Sequence, residues 1–262
     1  MIRLLLPLMA LIPSSASAME CQAMLAKLAA LPTTGSSELM AAPGKSFKSL
    51  FDECDRTNKF NGAVTPRKCT TDPNRVEFLR KYADGTIAFR AKMSVDADGS
   101  PASMGSGAST TDQPETWLTF DAGSDRHFVN AEATAFAVVP IKAPGGISFQ
   151  RAGGIGKGDL VAIMGRGRCS FGVIGDAGPY FRLGEASIRS HEDLGNTQCA
   201  VVGQRPCRRL KGDGSGVGLA SGITYLIFPG TRPRPLLNQT VNDVAGAAAN
   251  AKAAAFLDHF SP

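Results

Sequence analysis

The stretch GDLVAIMGRGRCSFGVIGDAGPYFRLGEAS, residues 158–187, decides the fold. Its apolar runs LVAIMG and CSFGVIG flank Arg166-Gly167-Arg168, which predicts two antiparallel strands joined by a tight turn. Two carboxylates follow, Asp176 and Glu185, each directly after a glycine.

Outward from this hairpin the chain alternates short apolar runs with turn signals. FAVVPI (136–141) predicts a strand ended by Pro144-Gly145-Gly146, and TIAFRAKMSV (86–95) alternates as a half-buried strand does. ITYLIFPG (223–230) predicts a late buried strand. SIRSHEDLG (187–195) has helical character, and NDVAGAAANAKAAAFLDHF (242–260) predicts an alanine-rich helix on the outside. Near the start, Leu25, Leu28 and Leu31 lie at helical spacing, as do Phe47, Leu50 and Phe51. Strands fill the middle and helices cap the ends. The pattern predicts a mainly β protein built on a small closed barrel, with an N-terminal helical region and a C-terminal helix. Between Asp96 and Glu115 runs a long Gly/Ser/Asp segment with no core-forming residues, a length usually functional or disordered.

The first 18 residues read as a signal peptide: Arg3, the apolar run Leu4 to Ile12, and the small residues Ala16-Ser17-Ala18. That run is shorter than the roughly 20 residues a membrane span needs. The expected organisation is a leader (1–18), a helical cysteine-bearing region (19–75), a barrel (76–235) and a C-terminal helix (236–262). An exported protein, secreted or periplasmic, is expected. It would hold no membrane segment after cleavage and act as a monomer. Six cysteines in such a chain predict disulfides. Proximity alone suggests Cys54 with Cys69 and Cys199 with Cys207, among the roughly 15 pairings that six cysteines allow.

The formal net charge is +5, with dispersed basic residues. The cluster Arg205, Arg208, Arg209 and Lys211 lacks interleaved aromatics, so no nucleic-acid partner is expected. From Asp84 to Asp125 seven acids face only Arg90 and Lys92, which could line a cleft for a cationic ligand. Gly44-Lys45-Ser46 lacks the earlier glycine of a phosphate loop, and no His-Glu-x-x-His or Gly-x-Ser-x-Gly occurs. No metal and no cofactor are expected.

The carboxylates carry the chemistry. Glycoside hydrolysis needs one acid held protonated and a second one ionised. Asp96, Asp98, Asp176 and Glu185 are the candidates. Each has a plainer reading. Asp176 can make an Asx turn, Glu185 can sit at a helix start, and Asp96-Ala97-Asp98-Gly99 can be a turn or a fragment of a calcium loop.

The pieces KMSVDADGSP (92–101), FAVVP (136–140), GDLVAIM with FGVIGDAGP (158–179), LGEAS (183–187) and GITYLIFPG (222–230) resemble, in order and spacing, the glycoside hydrolase family 75 chitosanases. The resemblance covers about Arg90 to Thr231. It implies an endo-acting, inverting enzyme that cleaves β-1,4 bonds of chitosan, with Glu185 as general acid and Asp176 as second carboxylate. Asp96 and Asp98 would bind the glucosamine ammonium or position the water, and Tyr180 would contact the sugar. The late barrel segment is also similar to the double-psi barrels of family 45 endoglucanases and lytic transglycosylase A, which implies six strands in a double-psi-like arrangement. The partner would be a polysaccharide, chitosan or a related amino-sugar polymer. The alternatives are a peptidoglycan-cleaving enzyme of the same barrel type, which suits a basic protein, and a non-catalytic carbohydrate-binding module.

Overall fold

The computed structural model describes residues 15–28, 31, 34–104, 112–211 and 218–260. Most of the expected leader, and residues 105–111 of the Gly/Ser/Asp segment, lie outside them. The first helix, α1 (Ser15–Leu28), runs across the expected cleavage point.

The N-terminal region holds short strands as well as helices: β1 (Ser36–Glu38), β2 (Met40–Ala42), β3 (Lys45–Ser46), β4 (Lys59–Phe60) and β5 (Ala63–Val64). Between β3 and β4 lies α2 (Phe47–Thr57), with the Ser46 side chain accepting from the Ser49 N–H as its cap. Phe47, Leu50, Phe51 and Cys54 form its buried face, three of them the residues whose spacing predicts it.

The remaining elements are β6 (Phe78–Tyr82), β7 (Ile87–Asp96), β8 (Phe136–Pro140), α3 (Phe149–Gly153), β9 (Leu160–Gly165), β10 (Arg168–Gly178), β11 (Glu185–Ser187), α4 (Ile188–Asp193), β12 (Leu219–Phe228) and α5 (Val241–Asp258). Six of the strands close on themselves in the order β7-β11-β8-β10-β9-β12, with β12 returning to β7. The barrel is mixed. β7–β11 and β8–β10 are parallel, and the other four contacts are antiparallel. β6 pairs with β7 outside the ring and carries β1.

Both faces of the barrel wall are covered, so β9 is buried along its whole length. Strict alternation sorts the apolar side chains into two sets. Phe89, Ile163, Ile174 and Tyr225 pack with Phe47 and Phe149 of the helices α2 and α3. Ala88, Ala162, Val173 and Leu226 pack with α1 and α5 instead. In α5, Ala245, Ala249 and Ala253 form a small-residue stripe at i,i+4 spacing, which lets the helix lie close on β9 and β10.

Three disulfides leave no free cysteine: Cys54–Cys69, Cys199–Cys207 and Cys21–Cys169. The first two join near neighbours. The third ties α1 to β10 across 148 residues. Among the described residues no helix is long and apolar enough to cross a membrane.

Candidate active site

A cleft of about 380 Å³ opens where the ends of β7 and β10 meet the start of β11. Asp96, Asp98, Asp176 and Glu185 all line it. They come from separate parts of the chain, and each is aimed by a specific backbone device.

Lys92, Ser94 and Asp96 alternate along the end of β7 and share its cleft face. The Asp96 carboxylate accepts the Asp98 N–H at 2.7 Å, and Asp98 accepts the Gln113 N–H at 2.7 Å. These local bonds turn the chain sharply and hold both carboxyls at the cleft.

Asp176 depends on a β-bulge. Ile174 pairs with Ala137, but Asp176 pairs with Val138, leaving Gly175 as an extra residue. Without the bulge Asp176 would share the face of Ile174 and point into the apolar layer. Residue 175 has to be glycine, because a Cβ there would lie 2.4 Å from the Phe136 ring. The Gly175 carbonyl accepts from Leu118 N–H at 2.9 Å, and Asp176 Oδ1 accepts from Trp117 N–H at 2.8 Å and Ala177 N–H at 2.7 Å.

Glu185 opens β11 and pairs with Ser94 of β7. Its Oε2 hangs over Gly178, 3.2 Å from where a Cβ would stand. Gly178 lies two residues beyond Asp176 on the same face of β10. The two carboxyls therefore face the same cleft from neighbouring positions of the wall.

The N-terminal region braces this wall. Asp55 of α2 accepts from Asn74 N–H and Nδ2 and from Arg75 N–H, at 2.8–2.9 Å. The buried Asn74 in turn donates to the Phe181 carbonyl and accepts from Leu183 N–H, fixing the segment that leads into Glu185. The same region delivers Asp72, which bridges Lys92 Nζ and Arg182 Nη1, each at 2.7 Å. Lys92, Asp72 and Arg182 line the cleft beside Glu185, and sequence reading did not single them out as site residues. The alternation Lys92-Met93-Ser94-Val95-Asp96 carried the signal for Lys92. Nothing local carried it for Asp72, which sits in a loop. Tyr180 packs edge-on against Phe60 and Phe181 and does not line the cleft.

Crowding four carboxyls in a partly dry cleft raises all of them. Burial pushes Glu185 up to about 7, with Lys92 opposing and Asp176 adding to the rise. Burial likewise lifts Asp98 to about 8. Asp96 is driven well above the usual carboxylate range, first by burial and then by Asp176. Asp176 rises too, but two backbone N–H groups and a hydrogen bond from the Asp98 carboxyl favour its ionised form. Asp98 therefore donates and Asp176 accepts. Oxygens of Asp96, Asp98 and Asp176 lie within 4.8 Å of one another, so these three could also hold a divalent cation when ionised.

Behind the cleft His191 is fully buried. Its Nε2 bonds the Ser94 carbonyl at 3.1 Å and its Nδ1 faces Asn196 Nδ2 at 3.0 Å. Burial lowers it to about 4, so it is the neutral ring that donates to Ser94.

These shifts have opposite consequences for stability. Asp98 and Glu185 hold protons in the folded protein that the unfolded chain gives up, so their contribution is fullest in acid. It is lost as pH rises through about 8 and about 7 respectively. The His191 contribution runs the other way and is lost as pH falls from 6.5 through about 4. Asp98→Asn is accordingly expected to raise Tm by on the order of 3–8 °C at about pH 9, with the gain vanishing near about pH 4. Thermal unfolding of both proteins across that range checks it, and an equal effect at both ends would rule out forced protonation of Asp98.

No protein-family model matches the chain, and no match to it is found among curated proteins.

Proposed function

We propose that the protein is an exported glycoside hydrolase that cleaves β-1,4 bonds of chitosan or a related amino-sugar polymer with inversion, as the resemblance to the family 75 chitosanases implies. The observation that carries the reading is Glu185 and Asp176 lining one cleft, with the Glu185 carboxyl over Gly178, two residues beyond Asp176 on β10. Inversion needs roughly 6.5–9.5 Å between the carboxyls, enough to seat a water. Their environments divide the roles. Glu185, held protonated to about pH 7, suits proton donation to the leaving oxygen. Asp176, with its charge supported by backbone donors, suits activation of the water. The remaining acids Asp96 and Asp98 would meet the sugar's ammonium group, whose charge would favour loss of the protons that burial otherwise holds on them. Three disulfides with no free cysteine suit an oxidising compartment outside the cytosol.

A second reading draws on the cations of the cleft. Arg67, Lys92 and Arg182 line it as well, which favours a glycan carrying carboxylates, such as peptidoglycan. Residues 19–262 would be incubated with each polymer in parallel, with products identified by mass and first-formed anomer. Glucosamine oligomers released as the α-anomer support the first reading, and muropeptides the second. Asp176→Asn is expected to slow release by about 10²–10⁴-fold. Full retention there, with loss in Asp96→Asn, would move the base to Asp96. Binding without products from either polymer would overturn the hydrolase reading in favour of a non-catalytic carbohydrate-binding barrel.

A further inference from the structure

Lys92 is the least expected charge in the molecule. Its side chain is 5% exposed, yet it lines the cleft. It shares a strand face with Ser94 and Asp96, and Ser94 is the register partner of Glu185. The backbone is tight here as well. The Lys92 carbonyl accepts from the Tyr225 hydroxyl at 3.2 Å and lies 2.3 Å from the position of a Cβ on Gly184. A buried ammonium normally needs a carboxylate of its own to offset the cost of leaving water. This one is instead held by a single carboxylate, Asp72, which it shares with Arg182. Two cations on one anion leave excess positive charge beside Glu185.

We propose that Lys92 is a positioning residue for Glu185, its ammonium stabilising the carboxylate that remains once the Glu185 proton has passed to the glycosidic oxygen. The catalytic part of this inference rests on the hydrolase reading; the electrostatic part does not. In the step itself the Glu185 O–H bond breaks, the proton joins the leaving oxygen, and the C–O bond cleaves as water adds at the anomeric carbon and gives up a proton to Asp176. The new carboxylate would otherwise stand in a cleft crowded with acids. The charged and titratable groups bearing on Glu185 are Lys92 and Asp96 of β7, Asp176 of β10, Arg182 of the β10–β11 connection, Asp112, and Tyr225 of β12. Of the two cations, Lys92 is the one whose alternation on β7 aims it along the face that pairs with Glu185.

The test is a carbon NMR titration of the full chain labelled at glutamate side-chain carboxyls, with the Glu185 signal assigned by its loss in Glu185→Gln. Lys92→Met is expected to raise the Glu185 midpoint by about one to two pH units. The alkaline limb of the chitosan kcat/KM profile should move up with it, and kcat should fall while KM stays nearly constant. Lys92→Arg, which keeps the charge, is expected to leave the midpoint within about 0.5 unit of the parent. Lys92→Gln, which removes the charge but keeps a polar end, is expected to raise it as Lys92→Met does, and it serves as the readout if the methionine variant does not fold. An unchanged or lowered midpoint in Lys92→Met, or a midpoint raised equally by Lys92→Met and Lys92→Arg, would overturn the proposal. Wild-type protein that cleaves neither chitosan nor peptidoglycan, while Lys92→Met still moves the midpoint, would overturn the hydrolase reading and uphold the electrostatic link.

Discussion

Glu185→Gln is expected to lower kcat on chitosan by about 10²–10⁴-fold and to leave KM within about a factor of three. Glutamine keeps the shape of the side chain over Gly178, so substrate binding is expected to change little. What it lacks is a proton acidic enough to give to a leaving alkoxide. The loss therefore falls on the transition state rather than on binding. The same substitution should raise stability above neutral pH. In the parent, ionising Glu185 means creating charge in a cleft already lined by Asp96, Asp98 and Asp176, and burial holds it protonated to about 7. Glutamine removes that cost, worth on the order of 1–3 kcal/mol, or several degrees in Tm, at about pH 9. An inactive variant that is more stable than its parent cannot be explained by misfolding. Retained turnover would remove Glu185 as the acid, and a lowered Tm at high pH would show that its carboxyl is not held protonated.

The second large effect is structural. Gly184→Ala is expected to cost about 2–4 kcal/mol and to lower Tm by roughly 5–15 °C. Gly184 has φ +83°, a conformation that L side chains rarely adopt. A Cβ there would also stand 2.3 Å from the Lys92 carbonyl oxygen. That atom belongs to a strand and cannot swing aside. Relief requires β11 to retreat from β7, which breaks the Ser94 N–H bond to the Gly184 carbonyl and the pairing of Glu185 with Ser94. Stability and turnover should therefore fall together. Gly35→Ala is the control: its φ is +75°, but nothing lies within 4 Å of the added carbon. It should cost only about 1 kcal/mol and leave turnover unchanged. Equal losses in the two variants would show that strain alone, and not the approach of β7 to β11, governs residue 184. Both can be measured by thermal unfolding beside chitosan hydrolysis.

Much of this architecture was legible in the chain. The β9–β10 hairpin, β8, most of β7, and the helices α2, α4 and α5 follow from apolar periodicity and turn residues, because each buries a face whose spacing is local. The disulfides Cys54–Cys69 and Cys199–Cys207 match what short loops suggest. The Asp55–Asn74 brace was not legible. It satisfies backbone groups of Leu183 and Phe181, more than 100 residues away in sequence. Strand β1 escaped notice because three residues leave no period to read. Tyr180, close to the acids in sequence, joined a different aromatic cluster because Phe60 from the N-terminal region offers it an edge-on partner.

The site divides in the same way. Sequence alone singled out Asp96, Asp98, Asp176 and Glu185, since acids beside glycines at strand ends are uncommon outside turns and sites. Patterning could not say that they meet; only the resemblance implied it. That is decided by the parallel pairing of β7 with β11, by closure of the barrel through β8 and β10, and by the single-residue bulge at Gly175 that turns Asp176 to the cleft. Nor could it place Lys92 and Asp72 against them. Patterning in the chain determines which face of an element is buried. Which elements become neighbours depends on long-range pairing, and the protonation of the acids depends in turn on those neighbours, because a charge in a partly dry cleft responds to everything that surrounds it.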